Sequence, residues 1–134
     1  MGYTHYLRNT APIPLVVFTD AKLIIAKARA QGIVICGWDG TGEPTIDETG
    51  LRLNGDGSRD LDHETLVIND ASFSFCKTAR KPYDAVVGAI LISVKDHVPE
   101  AEIGSDGVWE YDWDAARALY FDTFGVIAKN PLEK

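Results

Sequence analysis

The spacing of apolar and polar positions changes several times along the chain, and each change marks an element. Residues 2–7 are rich in aromatic and β-branched side chains and predict a strand. Thr10-Ala11-Pro12-Ile13-Pro14 interrupts it, and a helical stretch follows to Gln31, with Ala26, Ala28 and Ala30 as good helix formers and Gly32 as the stop. The start of that helix has two readings. Pro14 occupies its first turn, or Thr19 caps a shorter helix beginning Asp20-Ala21. Residues 33–36 predict a short apolar strand closed by Gly37.

Further along, residues 37–44 form a glycine-rich loop. Residues 45–47 and 51–54 flank a Glu48-Thr49-Gly50 turn, and residues 54–62 are polar and acidic. Residues 65–68 and 72–76 predict two more strands around an Asn69-Asp70 turn, with Phe73 and Phe75 alternating with Ser72 and Ser74 as in a strand buried on one face. Residues 82–98 are the clearest helix, with Pro82 at its start, Asp84 in its first turn, Pro99 beyond it, and one apolar face that includes Tyr83, Val86, Val87, Ile90 and Val94. Residues 102–104 predict an edge strand. A Ser105-Asp106-Gly107 turn then leads to a last helix over about residues 111–124. The order β-α-β-β-β-β-β-α-β-α predicts a single α+β domain spanning residues 1–134: a mainly antiparallel sheet with about three helices on one face.

Charge narrows the partners. Thirteen Lys and Arg stand against 20 Asp and Glu, a formal charge of −7, which argues against polymeric nucleic acid and anionic membrane. A small anionic ligand feels the local field of its pocket and is not excluded. No apolar run reaches the roughly 18 residues of a membrane span. The opening Met1-Gly2-Tyr3-Thr4-His5-Tyr6 has no signal-peptide pattern, and Tyr6 does not fit a myristoylation site, so a cytoplasmic protein is expected. Cys36 and Cys76 have no zinc-site spacing; one disulfide is the alternative, and two reduced thiols are expected. No cofactor fingerprint is present, and a homo-oligomer is compatible with everything so far.

The strongest candidate for chemistry is Phe75-Cys76-Lys77-Thr78-Ala79-Arg80-Lys81-Pro82-Tyr83-Asp84, where a strand runs into a helix N-terminus. Lys77, Arg80 and Lys81 put three of the 13 basic residues in a five-residue window. Cations there oppose the helix dipole, a cost that a bound phosphate or carboxylate would offset, with the Thr78 hydroxyl as a further donor. The competing reading is a salt-bridge cluster with Asp84 or the acids of residues 56–64. The glycines of a P-loop are missing. Asp39-Gly40-Thr41-Gly42-Glu43 is a second candidate, its glycines either letting the backbone approach a ligand closely or, as the favoured reading, making a plain turn, and Asp106 either binds a ribose hydroxyl or organises its turn. Tyr3 and His5 share a strand face and either touch a ligand or sit half-buried. His63 lies in an acidic segment that either attracts a divalent cation or, lacking EF-hand spacing, is a solvated loop, and His97 suits a helix C-terminus. Cys76, beside Lys77 and in phase with the serines of its strand, is expected to be unreactive.

The opening Met1–Tyr6 string, Gly40-Thr41-Gly42-Glu43-Pro44, the 75–84 string and Ser105-Asp106-Gly107 together resemble a group of small proteins encoded by bacteriophages and prophages. The likeness covers most of the chain, and the 75–84 string is its most specific part. Leu7, where the group has Trp, and the unusually apolar residues 14–25 depart from it. The resemblance implies a phage origin and action in the host cytoplasm, and carries over no catalytic residues.

Three functions follow as expectations. The first is a protein that binds a nucleotide-like anion and sequesters a host immune second messenger, with Lys77, Thr78, Arg80 and Lys81 holding phosphate and Tyr3, His5 and Tyr83 stacking on a base. The second is a small phosphoester-processing enzyme with Asp106 or His5 as general base. The third is an adaptor that inhibits a host protein through the apolar segment of residues 12–25.

Overall fold

The computed structural model describes residues 3–70 and 73–132. Gly2 and Ser72, read above as strand starts, lie outside the described residues. Among the described residues, six strands and three helices run in the order β1 (Thr4–Arg8), α1 (Leu15–Ala30), β2 (Thr45–Asp47), β3 (Gly50–Leu53), β4 (Leu66–Ile68), β5 (Phe73–Lys77), α2 (Asp84–His97), β6 (Glu102–Ser105) and α3 (Asp114–Phe124), with a 3-10 turn at Gly57–Arg59. This is the α+β arrangement the pattern predicts. The sheet, however, is divided. β5-β1-β6 and β2-β3-β4 form two antiparallel sheets of three strands each. Residues 33–36 contribute one bridge, Cys36 to Asn54, because Arg29 already holds the Ile35 carbonyl at 2.8 Å and turns the segment toward α1.

α1 starts at Leu15, with Pro14 at its N-cap. Thr19 sits inside the helix and donates its hydroxyl to the Leu15 carbonyl. Gly32, at φ +91°, ends it. α2 is buried on every side over residues 85–94, where the sequence predicts one apolar face. α1 and α3 pack against it, and β6 closes the remaining side. A helix enclosed this way needs no polar stripe. Close approach has its own requirement: a Cβ on Gly88 would stand 2.6 Å from the Ala116 Cβ of α3.

The β5-β1-β6 sheet turns Leu7, Cys76 and Ile103 inward to the same core, and Leu51, Leu53, Leu66 and Ile68 bury the second sheet. β1 is the middle strand, with His5 opposite Cys76 on one side and Ser105 on the other. That register brings residues from the beginning, middle and end of the chain together.

Candidate functional site

His5 occupies an inward position of β1 and is almost fully buried. Its Nδ1 lies 2.8 Å from Ser105 Oγ and its Nε2 lies 2.7 Å from Asp84 Oδ1, at the first residue of α2. Counting donors sets the proton positions. Ser105 Oγ accepts from the Gly107 amide at 2.9 Å and from the Trp113 indole at 3.1 Å, which uses both lone pairs. Its own hydrogen is therefore donated to His5 Nδ1, and His5 carries its proton on Nε2 and donates it to Asp84. Thr78, fully buried, also donates its hydroxyl to Asp84 Oδ1.

Ser, His and Asp in one hydrogen-bonded line invite comparison with a nucleophilic triad. Here the serine oxygen has no lone pair left to attack with, and the imidazole is sealed between Tyr3 and Trp113, whose rings meet it edge-on at 5.1 and 5.0 Å. As arranged, the line fixes the end of β1 to the start of α2 and orients Tyr3.

Tyr3 is the unsatisfied member. It is 4% exposed, and its hydroxyl has no hydrogen-bond partner among the described residues. Ser105 lies near enough to ease its ionisation, but the Ser105 oxygen is already saturated. Burial first, and then the Asp84 and Asp112 carboxylates, push the Tyr3 pKa up to about 12. Gly107 is required beneath it, since a Cβ there would fall 2.0 Å from the hydroxyl oxygen.

Over the Tyr3 ring lies Arg80, its guanidinium carbon 4.0 Å from the ring centroid. Arg80 Nη1 donates to Asp112 Oδ1 at 2.9 Å while 60% of the side chain stays exposed. The Val108 amide and then Arg80 hold the Asp112 carboxyl below the usual carboxylate range. Arg80 is presented by an unusual turn: Ala79 and Arg80 are both left-handed, at φ +52° and +57°. Two consecutive non-glycine residues in that region cost about 1–2 kcal/mol each.

The remaining predicted residues are distributed around this centre. Lys77 is exposed, and its amide donates to Glu64 Oε1. Lys81 reaches the Asp60 carbonyl at 2.9 Å. Tyr83 is wholly buried and donates to the Glu64 carbonyl at 2.6 Å. The faces of Tyr3, His5 and Tyr83, read above as stacking partners for a base, are therefore covered by protein. The amides at the start of α2 are engaged as well: Asp84, Ala85 and Val86 donate to the carbonyls of Lys81, Pro82 and Tyr83. Asp106 organises its turn, accepting the Thr4 amide at 3.0 Å.

Residues 3–6, 75–84 and 105–107 meet here. The Gly40 loop lies elsewhere, accepting the Gly57 amide. In the sequence Ser105 reads only as part of a turn, and neither it nor Asp112 and Trp113 reads as a site residue; no spacing could reveal that role, since Arg80–Asp112 and His5–Ser105 lie 32 and 100 residues apart.

Burial pushes the Cys76 thiol up to about 12, outweighing any effect of the neighbouring lysine, and both cysteines are free. Among the described residues no group of three or more His, Cys, Asp or Glu stands together as a metal site, and no helix is long and apolar enough to cross a membrane. Comparison with protein-family models, curated proteins and solved structures finds no match.

Proposed function

We propose that this protein is a phage-encoded binder of a small, anionic, nucleotide-like molecule, held at the Arg80–Tyr3 corner and sequestered rather than turned over. One observation carries the reading: the ring of a buried phenol, its hydroxyl unpartnered among the described residues, lies beneath a guanidinium that remains largely exposed. Leaving such a donor unpaired costs about 1–3 kcal/mol, and an oxyanion reaching it would recover that while bonding to the free guanidinium N–H groups. The strained Ala79–Arg80 turn supports it, because strain of this kind collects at ligand sites. Lys81, on the same turn, adds positive potential, and Lys77 stands just before it at the end of β5. The host second messenger is the ligand class that the phage resemblance suggests.

A second reading keeps His5 as a general base in a small phosphoester-processing enzyme, and the Ser105–His5–Asp84 line is its support. Turnover by that route needs Ser105 released from Gly107 or Trp113. The adaptor reading draws on Leu15, 76% exposed at the start of α1. Incubation with mixed nucleotides, followed by washing, heat denaturation and analysis of the released species, separates the three. Intact nucleotide is the expected result. An altered product supports the enzyme, and an empty protein supports the adaptor. Retention of nucleotide by a Lys77→Ala/Arg80→Ala double variant would sink the anion site.

A further inference from the structure

The outer face of the β5-β1-β6 sheet leaves an aromatic surface open to solvent. Strand alternation sends His5, Leu7, Cys76 and Ile103 to the core and leaves Tyr6, Phe73 and Phe75 39–50% exposed. Register arranges these side chains in rows. Phe75, Tyr6 and Gly104 form one row, and Phe73, Arg8 and Glu102 form the next. On the β6 side of Tyr6 the surface is hollow. A Cβ on Gly104 would find only Tyr6 atoms within 4 Å, and a shallow pocket of about 450 Å³ runs from Gly104 and Glu102 past Tyr6 and Arg8 to Phe73. On the β5 side Phe75 projects. The face thus has a knob and a hollow on opposite sides of its middle strand.

We propose that this face is the contact surface of a homodimer, two copies packing sheet to sheet about a two-fold axis that runs along β1 at Tyr6. A rotation about that line lays β5 of one copy over β6 of the other. Phe75 then enters the hollow above the partner's Gly104, one strand spacing of about 4.8 Å from the axis, and the same contact repeats by symmetry. The charges agree with this placement. Arg8 leans toward the β5 side, its guanidinium carbon 5.5 Å from the Phe73 centroid. That is the side over which the partner's Glu102 comes to lie, so the interface gains two Arg8–Glu102 ion pairs at the rim of its aromatic centre. An aromatic middle with a charged edge is the usual composition of a stable protein interface. Exposed aromatic clusters of this kind are also disfavoured on a monomer.

Light scattering on the purified full chain tests the proposal. The expected mass is twice 14.7 kDa at micromolar concentration, and that of the Phe75→Glu variant is 14.7 kDa. Arg8→Glu and Glu102→Arg, each alone, should be monomeric, since each places like charges opposite one another. Mixed in equal amounts, these two variants should form a heterodimer, because positions 8 and 102 then carry opposite charges at both contacts across the interface. That rescue has no explanation within one chain. Far-UV circular dichroism confirms that each variant is folded. A monomeric native chain, a Phe75→Glu variant that stays dimeric, or folded charge variants that do not pair on mixing would each overturn it.

Discussion

At the scale of single residues, the buried phenol and thiol set how the protein responds to alkali. Tyr3 and Cys76 both have folded pKa values near 12, against ordinary values of 10.0 and 9.0. Burial also raises Tyr83, toward which the Cys76 thiol is a secondary cause. A raised acid keeps its proton in the fold and loses it on unfolding. Its contribution is therefore whole below the unfolded pKa and is lost as pH climbs through the folded one. Unfolding free energy should be insensitive to these groups at pH 7 and fall from about pH 9 toward 12, by about 1.4 kcal/mol per pH unit for each proton involved. Denaturant titrations across that range check it. Iodoacetamide at pH 8 should leave Cys76 unmodified in the folded chain and modify it after unfolding.

Tyr3 carries a second expectation at this scale. Removing an unsatisfied hydroxyl relieves a cost, so Tyr3→Phe should raise stability by about 1 kcal/mol while weakening anion binding. A variant that both gains stability and loses ligand would mark the hydroxyl as kept for function. Ala79→Gly relaxes the left-handed turn and should stabilise by about 0.5–1 kcal/mol in thermal melts.

Elements make different demands. Glycine to alanine in a helix interior normally stabilises by about 1 kcal/mol. At Gly88 the added methyl meets the Ala116 Cβ at 2.6 Å and the Trp113 ring at 3.3 Å, so Gly88→Ala should instead destabilise by about 1–3 kcal/mol as α2 and α3 are pushed apart. The sequence shows where helices and strands lie because local periodicity writes them: α2 is marked by Pro82, Asp84 and Pro99, and β5 by the alternation of Phe73 and Phe75, although the face is inverted, both phenylalanines being exposed and Cys76, in phase with the serines, buried. Partnership between strands is not local. β1 pairs with β5 and β6 across most of the chain, so nothing near His5 predicts Ser105 opposite it, or two sheets where one is expected. The 33–36 segment shows the same limit. It has strand composition but gains only one bridge, because Arg29 claims the Ile35 carbonyl. The basic window was legible as charge. Its geometry was not: Arg80 is stacked and paired, Lys81 is tied to a carbonyl, and Thr78 faces inward.

For the whole molecule, a charge of −7 surrounds an exposed guanidinium braced by a ring and a carboxylate. General repulsion of polyanions and local retention of a small anion are compatible, because screening in salt confines the field of distant carboxylates to about 10 Å while direct bonds at Arg80 persist. Association of two copies through the aromatic sheet face leaves the Arg80 corner outside the contact, since Tyr3 lies on the inward side of β1. Ligand binding and assembly should then vary independently, with Phe75→Glu changing mass and Arg80→Ala changing affinity. Anion binding at the Arg80–Tyr3 corner can be measured by calorimetric titration of the native chain, Arg80→Ala and Tyr3→Phe with nucleoside mono-, di- and triphosphates and cyclic nucleotides. The native chain should bind at least one of them, with affinity lowered about tenfold or more by Arg80→Ala and several-fold by Tyr3→Phe. Equal affinity in all three proteins, or no binding to any of these nucleotides, would contradict it.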